Sequence, residues 1–118
     1  MFVFIMTGCS SIFADIPSRL PAELCQTLHA APTARIERIV SRGHASAPDD
    51  WYDQAEDEWV IVLQGRARLA FADRAVLEMR AGDYLLLPAH CRHRVDWTDP
   101  DTETVWLAIH LESKSTSV

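Results

Sequence analysis

From position 35 onward the apolar positions fall into short runs, broken about every eight to twelve residues by Gly, Pro or Asp turn signals. Residues 35–41, 58–64, 66–71, 75–79, 84–87, 92–97 and 103–111 read as strands. The run 58–64 is the strongest. Its core, Trp59-Val60-Ile61-Val62-Leu63, is apolar on both faces, as expected of a strand covered on two sides. Before these strands, residues 21–29 read as one short helix: Pro21 sits in its first turn, Leu20, Leu24 and Leu28 share a stripe, and Pro32 closes it. Many short strands behind one helix predict an all-β sandwich or barrel.

Strand phase then directs individual side chains. Side chains alternate across a strand, so His93, Val95 and Trp97 share one face of 92–97, and Arg92, Arg94 and Asp96 share the other. Glu58 shares a face with Val60 and Val62. A carboxylate and an imidazole turned into a small core are costly unless they pair or bind something. Two outcomes follow: a buried Glu58–His93 hydrogen bond that ties two strands, or half of a site for zinc, manganese, iron or nickel.

Composition narrows the classes. The chain has 118 residues, 48% hydrophobic and 24% charged, enough for one globular domain. Eleven basic against seventeen acidic residues leave a net charge of −6, and the sole lysine is Lys114. Nucleic acid and anionic membrane, which need a basic footprint, are not expected partners. Cys9, Cys25 and Cys91 form no paired spacing, so no disulfide framework is expected and a cytoplasmic location is. Met6-Thr7-Gly8-Cys9 loosely resembles a lipoprotein cleavage box, but no Lys or Arg precedes the short apolar stretch 2–6. The simpler expectation is a natural start at Met6. The expected organisation is an N-terminal arm (1–34), a β-barrel (35–112) and a frayed tail (113–118).

From about residue 35 to 111 the chain resembles a small single-domain cupin, a double-stranded β-helix or jelly-roll barrel. The family's second motif, G-x5-P-x-G-x2-H-x3-N, is met by Gly82, Pro88 and His93, with His90 at the second glycine and Trp97 at the asparagine. Its first motif, G-x5-H-x-H-x3,4-E-x6-G, is met in its second half by Glu58 and Gly65. At the two histidine positions stand Tyr52 and Gln54, or Trp51 and Asp53 with the longer spacer, and Gly43 lies too far upstream. The resemblance implies a divalent-metal site in which Glu58 and His93 remain and Gln54 supplies a third ligand. It also implies a ligand pocket of Tyr52, Gln54, Glu58 and His93.

Other residues have plainer expectations. His90 and Cys91 read as turn or core residues, although Cys91 and His93 share a face. His44 reads as exposed, His29 as a helix surface residue, and His110 has no fixed direction. Segment 51–59 alternates aromatic and acidic groups, either as a solvated loop or as a pocket mouth. No Ser–His–acid order, P-loop or dinucleotide glycine motif is present. The functions left are a metal-dependent cupin enzyme, a metal-free catalyst or binder of a sugar or small acid using Glu58 and His93, and a sensory binding module. A homodimer is expected through the 59–63 strand and the N-terminal arm.

Overall fold

The computed structural model describes residues 8–112. The expected tail 113–118 and the segment through Met6 lie outside the described residues. Eight strands run in order: β1 (Leu24–Ala31), β2 (Ala34–Ser41), β3 (Glu56–Gln64), β4 (Arg66–Phe71), β5 (Leu77–Arg80), β6 (Tyr84–Leu87), β7 (His93–Thr98) and β8 (Thr104–Glu112). They form a five-stranded sheet, β1-β2-β8-β3-β6, and a three-stranded sheet, β5-β4-β7. Every pairing is antiparallel. Side chains from both sheets meet in one core, with Val60 and Val62 of β3, Leu69 and Phe71 of β4, Met79 of β5 and Trp106 of β8. Burying each such side chain contributes about 1.5–3 kcal/mol.

The helix expected over 21–29 does not form. Residues from Leu24 to Ala31 are instead an edge strand, paired with β2 from Leu24↔Val40 to Ala31↔Ala34. An isolated nine-residue helix is marginal in water, and its Leu stripe finds no core, since Leu28 is 50% exposed. The β2 edge offers a ladder of hydrogen bonds instead, interrupted once at Leu28. Pro32 and Thr33 make the two-residue turn between β1 and β2.

A second correction concerns Trp97. The β4–β7 register slips between Arg68 and Leu69, so Trp97 pairs with Arg68 while Val95 pairs with Leu69. This bulge breaks the two-residue phase of β7. Trp97 lies under the exposed guanidinium of Arg68, 4.7 Å away, and Thr98 takes the buried place.

The N-terminal segment is tied to the outer face of the large sheet. Arg38, 5% exposed, donates to the Ile12 and Ala14 carbonyls at 3.1 and 2.5 Å and to the Gln26 side chain at 2.8 Å. His44, expected to be exposed, is part of the same fastening. Its Nδ1 accepts the Arg42 N–H at 2.9 Å, which leaves Nε2–H to donate to the Leu20 carbonyl at 2.9 Å.

Two motif positions show why their residues are there. At Gly65 φ is +85°, and a Cβ would meet the Thr104 Cα at 2.7 Å, so only glycine fits between β3 and β4. His90 stands at a motif glycine and takes φ 62°, the left-handed conformation that position requires.

Candidate ligand-binding site

Antiparallel register brings the site together. β3 and β8 place Glu58 opposite His110, Val60 opposite Ala108 and Val62 opposite Trp106, so all six point to the inner face. β2 adds Glu37 and Ile39 to that face, and β7 faces it with His93 and Val95. The space between is a cavity of ≈ 170 Å³, slightly more than a benzene-sized void. Tyr52 and Gln54 line its mouth, and Glu23 and Cys25 reach it from the N-terminal side.

His93 is 5% exposed, and its orientation is fixed from behind. Its Nδ1 lies 2.8 Å from the Cys91 carbonyl. A carbonyl only accepts, so Nδ1 carries the proton, and in the neutral ring the Nε2 lone pair is left for the cavity. Tyr52 holds the same strand in place: its N–H donates to the His93 carbonyl at 2.7 Å and its carbonyl accepts the His93 N–H at 3.2 Å. Their rings lie 5.5 Å apart.

Glu58 takes its partner from the loop before it. Gln54 Nε2 donates to Glu58 Oε1 at 3.0 Å. The gap from that oxygen to His93 Nε2 is 4.0 Å, too long for a hydrogen bond. The direct Glu58–His93 bond expected as a strand tie is therefore not made. What remains is two acceptors facing one space.

Gln54, Glu58 and His93, the residues expected to hold a metal, line the cavity together, with Glu58 and His93 as its metal-type donors. Gln54 offers Glu58 its N–H side, and no group of three His, Cys, Asp or Glu among the described residues is placed to hold an ion. Two ligands of a tetrahedral ion at ~2.1 Å would also sit only about 3.4 Å apart. The family trait of metal binding thus rests, in this chain, on two side chains alone.

The cavity has a second polar wall that the sequence pattern did not assign. His110, 5% exposed, has Nε2 2.6 Å from Glu37 Oε1 and Nδ1 3.9 Å from Glu56 Oε1. The close contact is poorly aligned, and neither ring nitrogen has a hydrogen-bond partner. The indole N–H of Trp106 is likewise buried and unpartnered. Glu37 was findable from strand phase, being in step with Ile39, whereas His110 is placed only by the register that sets it opposite Glu58. Glu23 and Cys25 were hidden by the helical reading of 21–29.

Acidity follows from this wall. Burial raises the Glu23 carboxyl, with the Glu58 charge adding to it and His44 and a Ser41 hydrogen bond opposing it. Burial of its cavity side pushes the Cys25 thiol up to about 11, helped by the charges of Glu23, Glu37 and Glu58, although the residue is solvent-accessible. It is a neutral thiol at pH 7 and not a nucleophile. The Tyr52 phenol is also raised, chiefly by burial. His90 stays outside the site, paired with Asp53 at 2.8 Å on the surface, and Cys91 packs against the core.

A two-sheet barrel whose mainly apolar cavity between the sheets carries a few polar side chains, Glu58 and His93 among them, defines a small barrel of the jelly-roll class. The family description "Cupin domain" matches residues 38–110, and the chain belongs to the cupin family. It is similar to a Ralstonia eutropha JMP134 structure described as a candidate mannose-6-phosphate isomerase, with 48% identity over 90% of this chain and 99% of that one and a TM-score of 0.85. A cupin superfamily protein of Desulfitobacterium hafniense DCB-2 shares 22% identity over 83% and 84% of the two chains, TM-score 0.69. A cupin 2 conserved barrel domain protein of Salinispora arenicola CNS-205 shares 27% over 77% and 76%, TM-score 0.61. The comparison with curated proteins gives no significant match. Among the described residues no helix is long and apolar enough to cross a membrane.

Proposed function

We propose that this cupin binds a small polar molecule directly in the barrel, with Glu58 and His93 as its two central acceptors. The observation that carries this is the 4.0 Å gap between Glu58 Oε1 and His93 Nε2. Two buried acceptors face it, and a hydroxyl or amine of a ligand placed there satisfies both. Gln54 turns Glu58 toward the gap, and Tyr52 supplies an aromatic wall at the mouth. His93 Nε2 is also the atom able to take a proton from a bound ligand, with the Cys91 carbonyl holding the ring in the right tautomer.

A divalent metal between Glu58 and His93 is the second reading. It is favoured by the hold on His93 Nδ1, which is how metal-bound imidazoles are commonly oriented. Such an ion would take its remaining ligands from water or substrate. The description of the Ralstonia protein points to sugar-phosphate isomerisation, but a phosphate needs cationic partners, and no Lys or Arg lines this cavity.

The test is a protein-observed NMR screen of small sugars, polyols, amines and hydroxy acids. Binding should move the amides of Tyr52, Gln54, Glu58 and His93 and be lost in His93→Ala. Shifts confined to other surfaces would reject the cavity as the site.

The same reading takes the protein as a homodimer. Ile36, Ile109, Trp59 and Leu86 sit side by side across β2, β8, β3 and β6 on the outer face of the large sheet. Leu86 is 53% and Tyr84 67% exposed there. A continuous apolar row across four strands is self-complementary about a two-fold axis, so a second copy is its natural cover.

A further inference from the structure

Three carboxylates, Glu23, Glu37 and Glu58, line one cavity of ≈ 170 Å³, and no Lys or Arg joins them. Arg35, in step with Glu37 on β2, is held by Glu37 and Glu56 at 3.7 and 3.5 Å and is not part of the lining. Histidines are the only basic groups there, His110 against Glu37 and His93 across the gap from Glu58. Burial is the main cause of the raised Cys25 thiol and Glu23 carboxyl, and the neighbouring carboxylates add to it. The acids do not converge as metal ligands do, since no three of them are placed around a point among the described residues. They are spread along the walls, as suits a ligand of several atoms.

A second observation is independent of charge. Trp106, 4% exposed, lines the cavity, and its indole N–H has no acceptor in the protein. A water or a ligand atom that reaches this wall is one way to satisfy such a donor. In the same wall His110 has Nε2 2.6 Å from Glu37 Oε1 and an Nδ1 without a hydrogen-bond partner. At the mouth, the Tyr52 ring offers a face on which a cation is attracted.

We propose that the cavity selects a small organic cation, an amine that also carries a hydroxyl or carbonyl acceptor, and turns away phosphorylated ligands. The ammonium lies between Glu58 and Glu23 below Tyr52, and the acceptor is directed to the wall that holds Trp106. This rests on the cavity being the binding site and specifies the chemical class it takes. A phosphate monoester would bring up to two further negative charges beside three carboxylates, with no donor cation to receive them.

The experiment compares matched probes at pH 7: 3-amino-1-propanol, 1,3-propanediol and 3-hydroxypropyl phosphate, with the six-carbon homologue of each. Protein-observed NMR titration gives both the site and the affinity. The amino alcohols should move the cavity amides and bind at least tenfold more tightly than the diols, and the phosphate esters should leave those amides unmoved. In the shape-preserving Glu23→Gln/Glu58→Gln variant, folded by its spectrum, the amine preference should collapse toward parity. Diols binding as tightly as amines, or phosphate esters binding in the cavity, would overturn the charge class while leaving the cavity as a ligand site. No movement of cavity amides by any probe up to its solubility limit would reject the cavity reading itself.

Discussion

His93 Nε2 lies 4.0 Å from Glu58 Oε1, and both atoms present lone pairs to the space between them. Each is anchored from its other side, His93 by the Cys91 carbonyl and Glu58 by Gln54. The fold therefore holds two acceptors apart rather than letting them pair, and that separation makes the cavity a recognition site.

Gln54 is the donor that makes the Glu58 charge tolerable. In Gln54→Glu, two carboxylates would meet where one hydrogen bond of 3.0 Å now stands. Repulsion raises carboxyl pKa values in the folded state, so stability is present at low pH and lost as pH rises through those values. The variant should be less stable than the parent by about 1–3 kcal/mol at pH 7, with the deficit shrinking near pH 4. Thermal melts at the two pH values check this, and a deficit of equal size at both would contradict it.

Cys25 should label slowly despite its access to solvent. A thiol at about 11 rather than 9.0 has roughly a hundredfold less thiolate at pH 8. Maleimide labelling read by peptide mass spectrometry should show the Cys25 rate still rising with pH beyond 9. Glu23→Gln should speed it several-fold, because one of the opposing charges is removed. Unchanged labelling in that variant would place Glu23 away from the thiol.

Gly65→Ala and Gly82→Ala separate backbone strain from steric conflict. Both glycines have positive φ, but a Cβ at Gly65 meets Thr104 whereas one at Gly82 meets nothing within 4 Å. Gly82→Ala should cost about 1 kcal/mol in strain alone. Gly65→Ala should cost more than about 3 kcal/mol, because β8 must move as well. Similar melting temperatures for the two variants would contradict the close approach at Gly65.

The sheet-face homodimer predicts a clean change of mass. Tyr84→Glu/Leu86→Glu alters only exposed side chains, so the fold should persist while the particle becomes a monomer in sedimentation. A parent that is monomeric, or a variant that stays dimeric, would remove this interface.

Much of the fold was legible because β-structure with one buried face writes itself into alternation. The strands around Glu58–Gln64, Tyr84–Leu87 and the last apolar run lie within a few residues of where their patterns place them. Glu58 and His93 are inward for the reason their phase gives. The pattern fails where local rules compete. In 21–29, leucines at helical spacing with a leading proline describe a helix, but the open edge of β2 decides for a strand. At Trp97 one bulged residue reverses the face of everything after it. His110 was ambiguous because β8 is apolar on both faces, so alternation carries no direction there. Only the register with Glu58 assigns it.

The central claim is that Glu58 and His93 meet a ligand directly across their gap. A crystal structure of protein purified without chelator or nickel resin, with anomalous data, tests it most directly. The account predicts light-atom density, from a bound molecule or water, about 2.7–3.2 Å from both His93 Nε2 and Glu58. An anomalous scatterer about 2.1 Å from both atoms, absent in Glu58→Ala/His93→Ala, would contradict it and make the site a metal centre.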